Sequence, residues 1–326
     1  MSAVSLRKIS RLVGFPKVEA ALLPRLPRSL RLAVSRLHFR SAIRQAVGGP
    51  TPPVLVYTAP KVASTAVTVA LQAAGQSVFH VHMISAAGIR GLREAMRRRG
   101  LARMKWDALG LEDIGHALAS ELIEPRHRAR IVSLVRDPVA RNISFYFETL
   151  DVLWQTERAH EHVRLERLLA EFHERFQHER GIDWFDNELK PVLGLDVYEH
   201  PFPHDKGYQR IDAGPYEVLI MRHDLDDRLK EKCLAELVGV PVVTLTPKNV
   251  SAQKPYAEMY REFLRRVEPP EDYVDRLLGS KYARHFYGPD ELARFRAKWL
   301  KGRAAGRSAP VASVAPARST SRAESV

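Results

Sequence analysis

Apolar and polar positions fall in alternating blocks along this chain. Short apolar runs at 53–58, 77–82 and 130–135 each precede a stretch where apolar residues recur every three or four positions, at 64–75, 86–99 and 138–150. Runs of that length bounded by turn residues are the pattern of buried strands, and the longer spacing is that of helices. Two more strands are expected at 217–221 and 242–245, with helical stretches at 157–180, 224–237, 254–267, 271–278 and 289–300. The stretch between the second helix and 129 reads only as helical or loop matter. Strands alternating with helices predict an α/β fold: a central parallel sheet flanked by helices in a three-layer sandwich. No internal repeat is visible.

The ends depart from this pattern. Pro16, Pro24 and Pro27 interrupt the first residues, and 29–47 reads as a basic helix with Arg36, Arg40 and Arg44 on one face. Such a helix can rest on an anionic membrane surface or pack on the domain with its arginines in solvent, and the pattern leaves both open. Gly48-Gly49-Pro50-Thr51-Pro52-Pro53 is a turn or linker. The expected organisation is a basic, partly helical extension over 1–50, an α/β domain over 51–300 and a disordered basic tail over 301–326, which has few large apolar side chains.

Charge sharpens this division. The net charge is +13, of which residues 1–50 carry +9 and residues 301–326 carry +4, so 51–300 is neutral with 36 basic and 36 acidic residues. A neutral domain with basic ends argues against nucleic acid as a partner and for contact of the ends with acidic surfaces. Cys233 is the one cysteine, which excludes an internal disulfide and a thiolate metal cluster and fits a reducing compartment; its amphipathic surroundings mark it as core filler. No apolar run is long enough to span a membrane, and no apolar core follows the first charges as a secretory signal would require. His200-Pro-Phe-Pro-His204 has metal-ligand spacing, but its prolines make it a loop with no third ligand nearby, so no metal is expected.

Two stretches carry the candidate chemistry. In the first, Val54–Tyr57 leads through Thr58-Ala59-Pro60-Lys61-Val62-Ala63 into a helix opening on Ser64 and Thr65. A strand–turn–helix passage of this kind presents unpaired N–H groups and the positive end of the helix dipole to an anion, with Lys61 adding a charge and Ser64 or Thr65 as a cap. It lacks the glycines of a nucleoside-triphosphate P-loop, which argues against ATP or GTP hydrolysis. In the second, Arg136 ends a strand, Asp137-Pro138 opens a helix, and Ser144 follows two turns on. An Arg fork and a hydroxyl can grip one phosphate from two sides, although Arg136 pairing with Asp137 would use the same residues for structure alone. Arg141 reads as a structural salt-bridge partner.

The order Pro-Lys-x-x-Ser-Thr, then Arg-Asp-Pro-x-x-Arg-x-x-Ser-x-Tyr, closely resembles the sulfotransferases that use 3′-phosphoadenylyl sulfate (PAPS), in particular their carbohydrate-modifying branch. The resemblance is clearest over 53–150 and implies a P-loop-type sandwich. It places Lys61, Val62, Ala63, Ser64 and Thr65 on the 5′-phosphosulfate, and Arg136 and Ser144 on the 3′-phosphate. Trp184–Tyr198, Gly207-Tyr208, Asn249–Tyr256 and Lys281–Tyr287 resemble a bacterial group described as capsular polysaccharide synthesis proteins. Asn249 and Lys254 are then expected to close over the nucleotide.

Sulfuryl transfer needs a base for the acceptor proton. Phe79-His80-Val81-His82 ends the second strand, and strand carboxyl ends are where such sheets bind ligands. Members of the family with a His base carry it in a similar strand end, so His82 is expected as the base with His80 second. The resulting expectation is a PAPS-dependent enzyme, with no metal, acting on a carbohydrate or glycoconjugate hydroxyl in capsular or surface polysaccharide modification. The polysaccharide sulfotransferases of the secretory path carry an anchor and disulfides, neither of which this sequence shows, so a cytoplasmic protein is expected, peripheral to the inner membrane face if the basic helix binds lipid. Two other readings stay open: a P-loop phosphotransferase, and a non-catalytic nucleotide- or glycan-binding module of the same fold.

Overall fold

A computed structural model describes residues 28–98, 114–246 and 254–300. Five strands form one sheet in the order β2-β1-β3-β5-β4, where β1 is Val54–Tyr57, β2 Val78–Val81, β3 Ala129–Val135, β4 Tyr208–Ala213 and β5 Tyr216–Arg222. The longer helices are α1 (Arg28–Val47), α2 (Ser64–Ala73), α3 (Ala86–Arg98), α4 (Pro138–Glu148), α5 (Leu165–Arg175), α6 (Asp227–Val238), α7 (Ala257–Arg266), α8 (Glu271–Leu278), α9 (Lys281–Phe286) and α10 (Pro289–Trp299).

Side chains alternate across each strand, so the apolar runs serve two cores at once. Leu55, Tyr57, Ile131, Val135, Val218 and Ile220 point to one face, where α1, α9 and the segment 184–202 cover them. Val54, Val56, Val132, Leu134, Leu219 and Met221 point to the other, under α2 and α6. Cys233 is buried in this second layer, as its pattern predicts. A third cluster joins α4, α5, α7 and α8 around Tyr146, Phe147, Phe172 and Phe263. The α/β sandwich read from the sequence is therefore the fold.

Two details differ from the expectation. The run at 242–245 is not a strand: Val242 is exposed, Val243 packs into the second core, and the Leu245 N–H donates to Glu231 Oε1 at 2.7 Å. The place beside β5 is taken by β4, which pairs antiparallel through a two-residue turn at Gly214-Pro215. The sheet is therefore mixed, with β1, β2, β3 and β5 parallel. In β4 only Ile211 is buried, so this edge strand lacks the apolar run that marks the others.

The basic helix forms as predicted. It packs on the domain through Phe39 and Ile43, while Arg40 and Arg44 each hold a carboxylate oxygen of Glu121, at 2.5 and 2.6 Å. No helix among the described residues is long and apolar enough to cross a membrane.

Candidate functional site

The site lies at the carboxyl ends of β1, β2 and β3. Thr58, just past β1, ties these ends together. Its hydroxyl donates to Leu134 O and accepts from Leu134 N, both at 3.0 Å, and its carbonyl accepts from His82 Nδ1 at 2.6 Å. The loop then turns sharply, with Lys61 at φ 70° and Ala63 at φ 66°. Each non-glycine residue in this left-handed region costs about 1–3 kcal/mol, strain that persists where the surroundings enforce it. Neither Ser64 nor Thr65 caps that helix: Ala63 holds the cap position and no side chain accepts from the first turn. Ala66 N donates to Ala63 O at 3.2 Å, and the positive end of the helix dipole is chemistry that favours an anion. Val62 is buried, Ser64 is buried and Thr65 is half-buried.

The two sequence motifs meet here. Arg136 Nη1 donates to Lys61 O at 2.9 Å, across 75 residues. Arg136 does not pair with Asp137, which instead caps α4 by accepting from Val139 N and Ala140 N and takes a further bond from Trp299 Nε1 at 2.9 Å. Tyr282, from α9, accepts from Arg136 N at 2.8 Å and donates to Arg136 O at 3.0 Å. Arg136 borders a cavity of about 410 Å³ with Tyr260, Arg265, Lys298 and Trp299. Ser144 is buried on α4. Lys254 Nζ stands 3.3 Å from Glu148 Oε2, the oxygen that also meets Lys61, whereas Asn249 lies outside the described residues.

His80 and His82 share a face, as strand geometry requires, with ring centroids 4.8 Å apart. Because His82 Nδ1 faces a carbonyl, that nitrogen carries the proton and Nε2 keeps its lone pair, the tautomer of a general base. Burial, with the charges of Arg141 and Lys61, lowers His82 to about 4 against the hydrogen bond to Thr58. Burial, and then the nearby His82, lower His80 well below its ordinary value, and its Nε2 has no hydrogen-bond partner among the described residues.

Three further residues shape the site, two of them outside both motifs and one, Arg141, inside the second. Glu148, at the end of α4, accepts on one oxygen from Lys61 Nζ at 3.1 Å, Lys254 Nζ at 3.3 Å and the Tyr256 hydroxyl at 2.9 Å. Burial raises the Glu148 carboxyl, but the two lysines and Tyr256 together hold it at about 2. For Lys61, burial outweighs Glu148 and lowers the ammonium. Glu188 accepts from the Tyr57 hydroxyl, Ile84 N, Ser85 N and the Ser85 hydroxyl, at 2.6–3.1 Å, and so fixes the entry to α3. The third is Arg141, which was expected in a salt bridge and has no carboxylate partner among the described residues. A readable sign existed for two of these: Arg141, Ser144 and Glu148 lie at i, i+3 and i+7, on one face of α4.

One residue beyond His82 a cavity of about 590 Å³ opens between α3 and the segment 177–188, bordered by Met83, Gly88, Glu94, Gln177, Arg180 and Asn187. Trp184, also on its wall, donates from Nε1 to His82 O at 2.9 Å. His200 and His204 stand apart, His204 Nε2 donating to His285 O at 2.9 Å, and no group of three or more potential metal-ligating side chains occurs among the described residues.

Residues 162–288 match the model of a family described as "Putative capsular polysaccharide synthesis protein". The match covers less than half of the chain. It takes in Arg180, Trp184, Glu188, Lys254, Tyr256 and Tyr282, and begins after the strand-end motifs that hold Lys61, His82 and Arg136. No curated protein and no solved structure matches the chain.

Proposed function

We propose that this chain transfers a sulfuryl group from PAPS to a hydroxyl of a carbohydrate or glycoconjugate, in the synthesis of a capsular or surface polysaccharide. The observation that carries the reading is the bond from Arg136 to the main chain of Lys61, which joins the two phosphate-gripping motifs at one place beside His82. The similarity of residues 162–288 to the capsular family supports the polysaccharide setting.

On this reading the uncapped start of α2 and Lys61 hold the phosphosulfate, and Arg136 with Ser144 holds the 3′-phosphate. The cation-lined cavity beside Arg136, with Tyr260 and Trp299, suits the nucleoside. The acceptor enters through the cavity past Met83. Its hydroxyl gives its proton to His82 Nε2 as its oxygen bonds to sulfur, while the bond from sulfur to the phosphate oxygen breaks. Lys61 stabilises the charge gathering on that leaving oxygen. A phosphotransferase is disfavoured by the loop itself, which has none of the glycines of a nucleoside-triphosphate loop and carries its lysine three residues before Ser64.

Calorimetric titration with 3′,5′-adenosine bisphosphate, with ATP as control, tests the assignment. Micromolar binding by the wild type, lost in Arg136→Ala and absent for ATP, is expected. Failure of the folded protein to bind the bisphosphate overturns it.

A further inference from the structure

Glu188 is a buried carboxylate held by neutral donors. It is 4% exposed, and its partners are the Tyr57 hydroxyl, Ile84 N and Ser85 N on Oε2 and the Ser85 hydroxyl on Oε1. No ion pair joins it to a cation among the described residues. Oε2 already meets three donors, whereas Oε1 meets one, so an acceptor position is left on Oε1. That oxygen stands over Gly88, where an added Cβ would lie 1.7 Å from it. Gly88 and Glu188 both border the cavity of about 590 Å³ beside His82.

The rest of the wall suits a sugar. Met83 and Trp184 give it apolar surface, and the Trp184 indole is pinned by its bond to His82 O. Gln177 and Asn187 are exposed amides whose side chains make no hydrogen bond among the described residues, so each offers a donor and an acceptor. Gly91 leaves space, since a Cβ there would meet nothing within 4 Å. Three charged side chains border the cavity. Arg180 and Glu94 are exposed, and Arg180 Nη2 donates to Met83 Sδ at 3.4 Å; Glu188 is the buried one. The most buried charge on the wall is therefore negative. A hydroxyl can donate to it, whereas a carboxylate or sulfate brought against it meets like charge with no cation on Glu188 to offset the repulsion.

We infer that this cavity admits an uncharged, hydroxyl-rich sugar and turns away rings that carry a carboxylate or a sulfate, with Glu188 Oε1 receiving a sugar hydroxyl over Gly88, Gln177 and Asn187 meeting its other polar groups, and Gly91 keeping the space for the ring. The inference rests on the reading of this cavity as the acceptor's entrance. It places the reaction before any step that adds acid to the same ring, so a transfer of neutral glycosyl units must supply the acceptor. A ring once sulfated is itself anionic, and the cavity that admits the acceptor does not hold the product.

The test is retention of the whole protein on an array of immobilised bacterial surface oligosaccharides, neutral ones beside uronate-bearing and sulfated ones. The wild type is expected to prefer neutral oligosaccharides by at least about tenfold over counterparts with an acidic ring, the effect of like charges placed together. Gly91→Leu grows into open space, so its melting temperature and its binding of 3′,5′-adenosine bisphosphate are expected to match the wild type while retention on neutral oligosaccharides is lost. In Glu188→Gln the discrimination against uronate shrinks, a ratio that a merely structural role would leave unchanged; if this variant does not fold, the wild type and Gly91→Leu decide. Equal retention of neutral and acidic oligosaccharides, retention of none, or wild-type retention by Gly91→Leu overturns the inference, and the donor site stands if the bisphosphate still binds. If neutral oligosaccharides are retained as expected and the bisphosphate does not bind, the donor assignment falls and the inference stands.

Discussion

The Lys61 ammonium and the Glu148 carboxylate face each other at 3.1 Å, from the loop after β1 and the last turn of α4. The same carboxylate oxygen also holds Lys254 and Tyr256, so Glu148 occupies the charges that the proposed function gives to the donor's phosphosulfate. Glu148→Gln removes that competitor. It is expected to tighten 3′,5′-adenosine bisphosphate binding about two- to fivefold, equivalent to the roughly 0.5–1 kcal/mol of a half-exposed ion pair. Calorimetry checks this, and weaker binding would show that Glu148 organises the lysines rather than competing for them.

His82→Asn keeps a polar side chain near Thr58 O but removes the basic Nε2. Sulfuryl transfer is expected to fall by about 10²–10⁴, the range for loss of a general base, with bisphosphate affinity within twofold of wild type. Radiolabelled sulfate transfer and calorimetry on one preparation separate the two effects. Full activity in the variant would pass the role to another group, His80 first.

Stability should fall on acidification in two windows. Burial lowers His82 from 6.5 to about 4, so its neutral form is favoured in the fold, and the stability it contributes is present above 6.5 and lost as pH falls toward 4. His178, His223 and His285 are lowered to about 4 by burial as well and add to this window. Glu148, held at about 2 against 4.5, loses its contribution only between those values. Urea unfolding across pH should therefore weaken first between 6.5 and 4, more shallowly in His82→Asn, while Glu148→Gln changes only the lower window.

Gly88→Ala tests the wall between base and cavity. An added Cβ would lie 1.7 Å from Glu188 Oε1, the carboxylate that fixes residues 84 and 85. Overpacking of this kind costs about 1–3 kcal/mol. A lowered melting temperature with unaltered bisphosphate binding is expected, since the donor loop lies on the other side of His82.

What the chain disclosed in advance depended on how local each signal was. Strand–turn–helix passages are written within a dozen residues, so Lys61, His82 and Arg136 could be placed at strand ends before any coordinate. Glu148, Glu188 and Tyr282 take their meaning from partners 87 to 146 residues away, and an isolated acid or tyrosine carries no mark of such a partner. Arg141 departs from its expectation for a related reason: a basic residue inside a helix is normally paired, and only packing shows that this one has no carboxylate partner among the described residues. The strand β4 escaped because an edge strand in contact with solvent needs no apolar run, and Val243 looked like a strand residue because a buried loop position wants the same side chain.

The hydroxyl of Tyr282 holds both main-chain polar groups of Arg136, and Lys254 and Tyr256 complete the grip on Glu148. A chain truncated before α9 would carry both recognisable motifs without the Tyr282 clasp on Arg136, so a fragment that contains the two motifs is not yet the whole site.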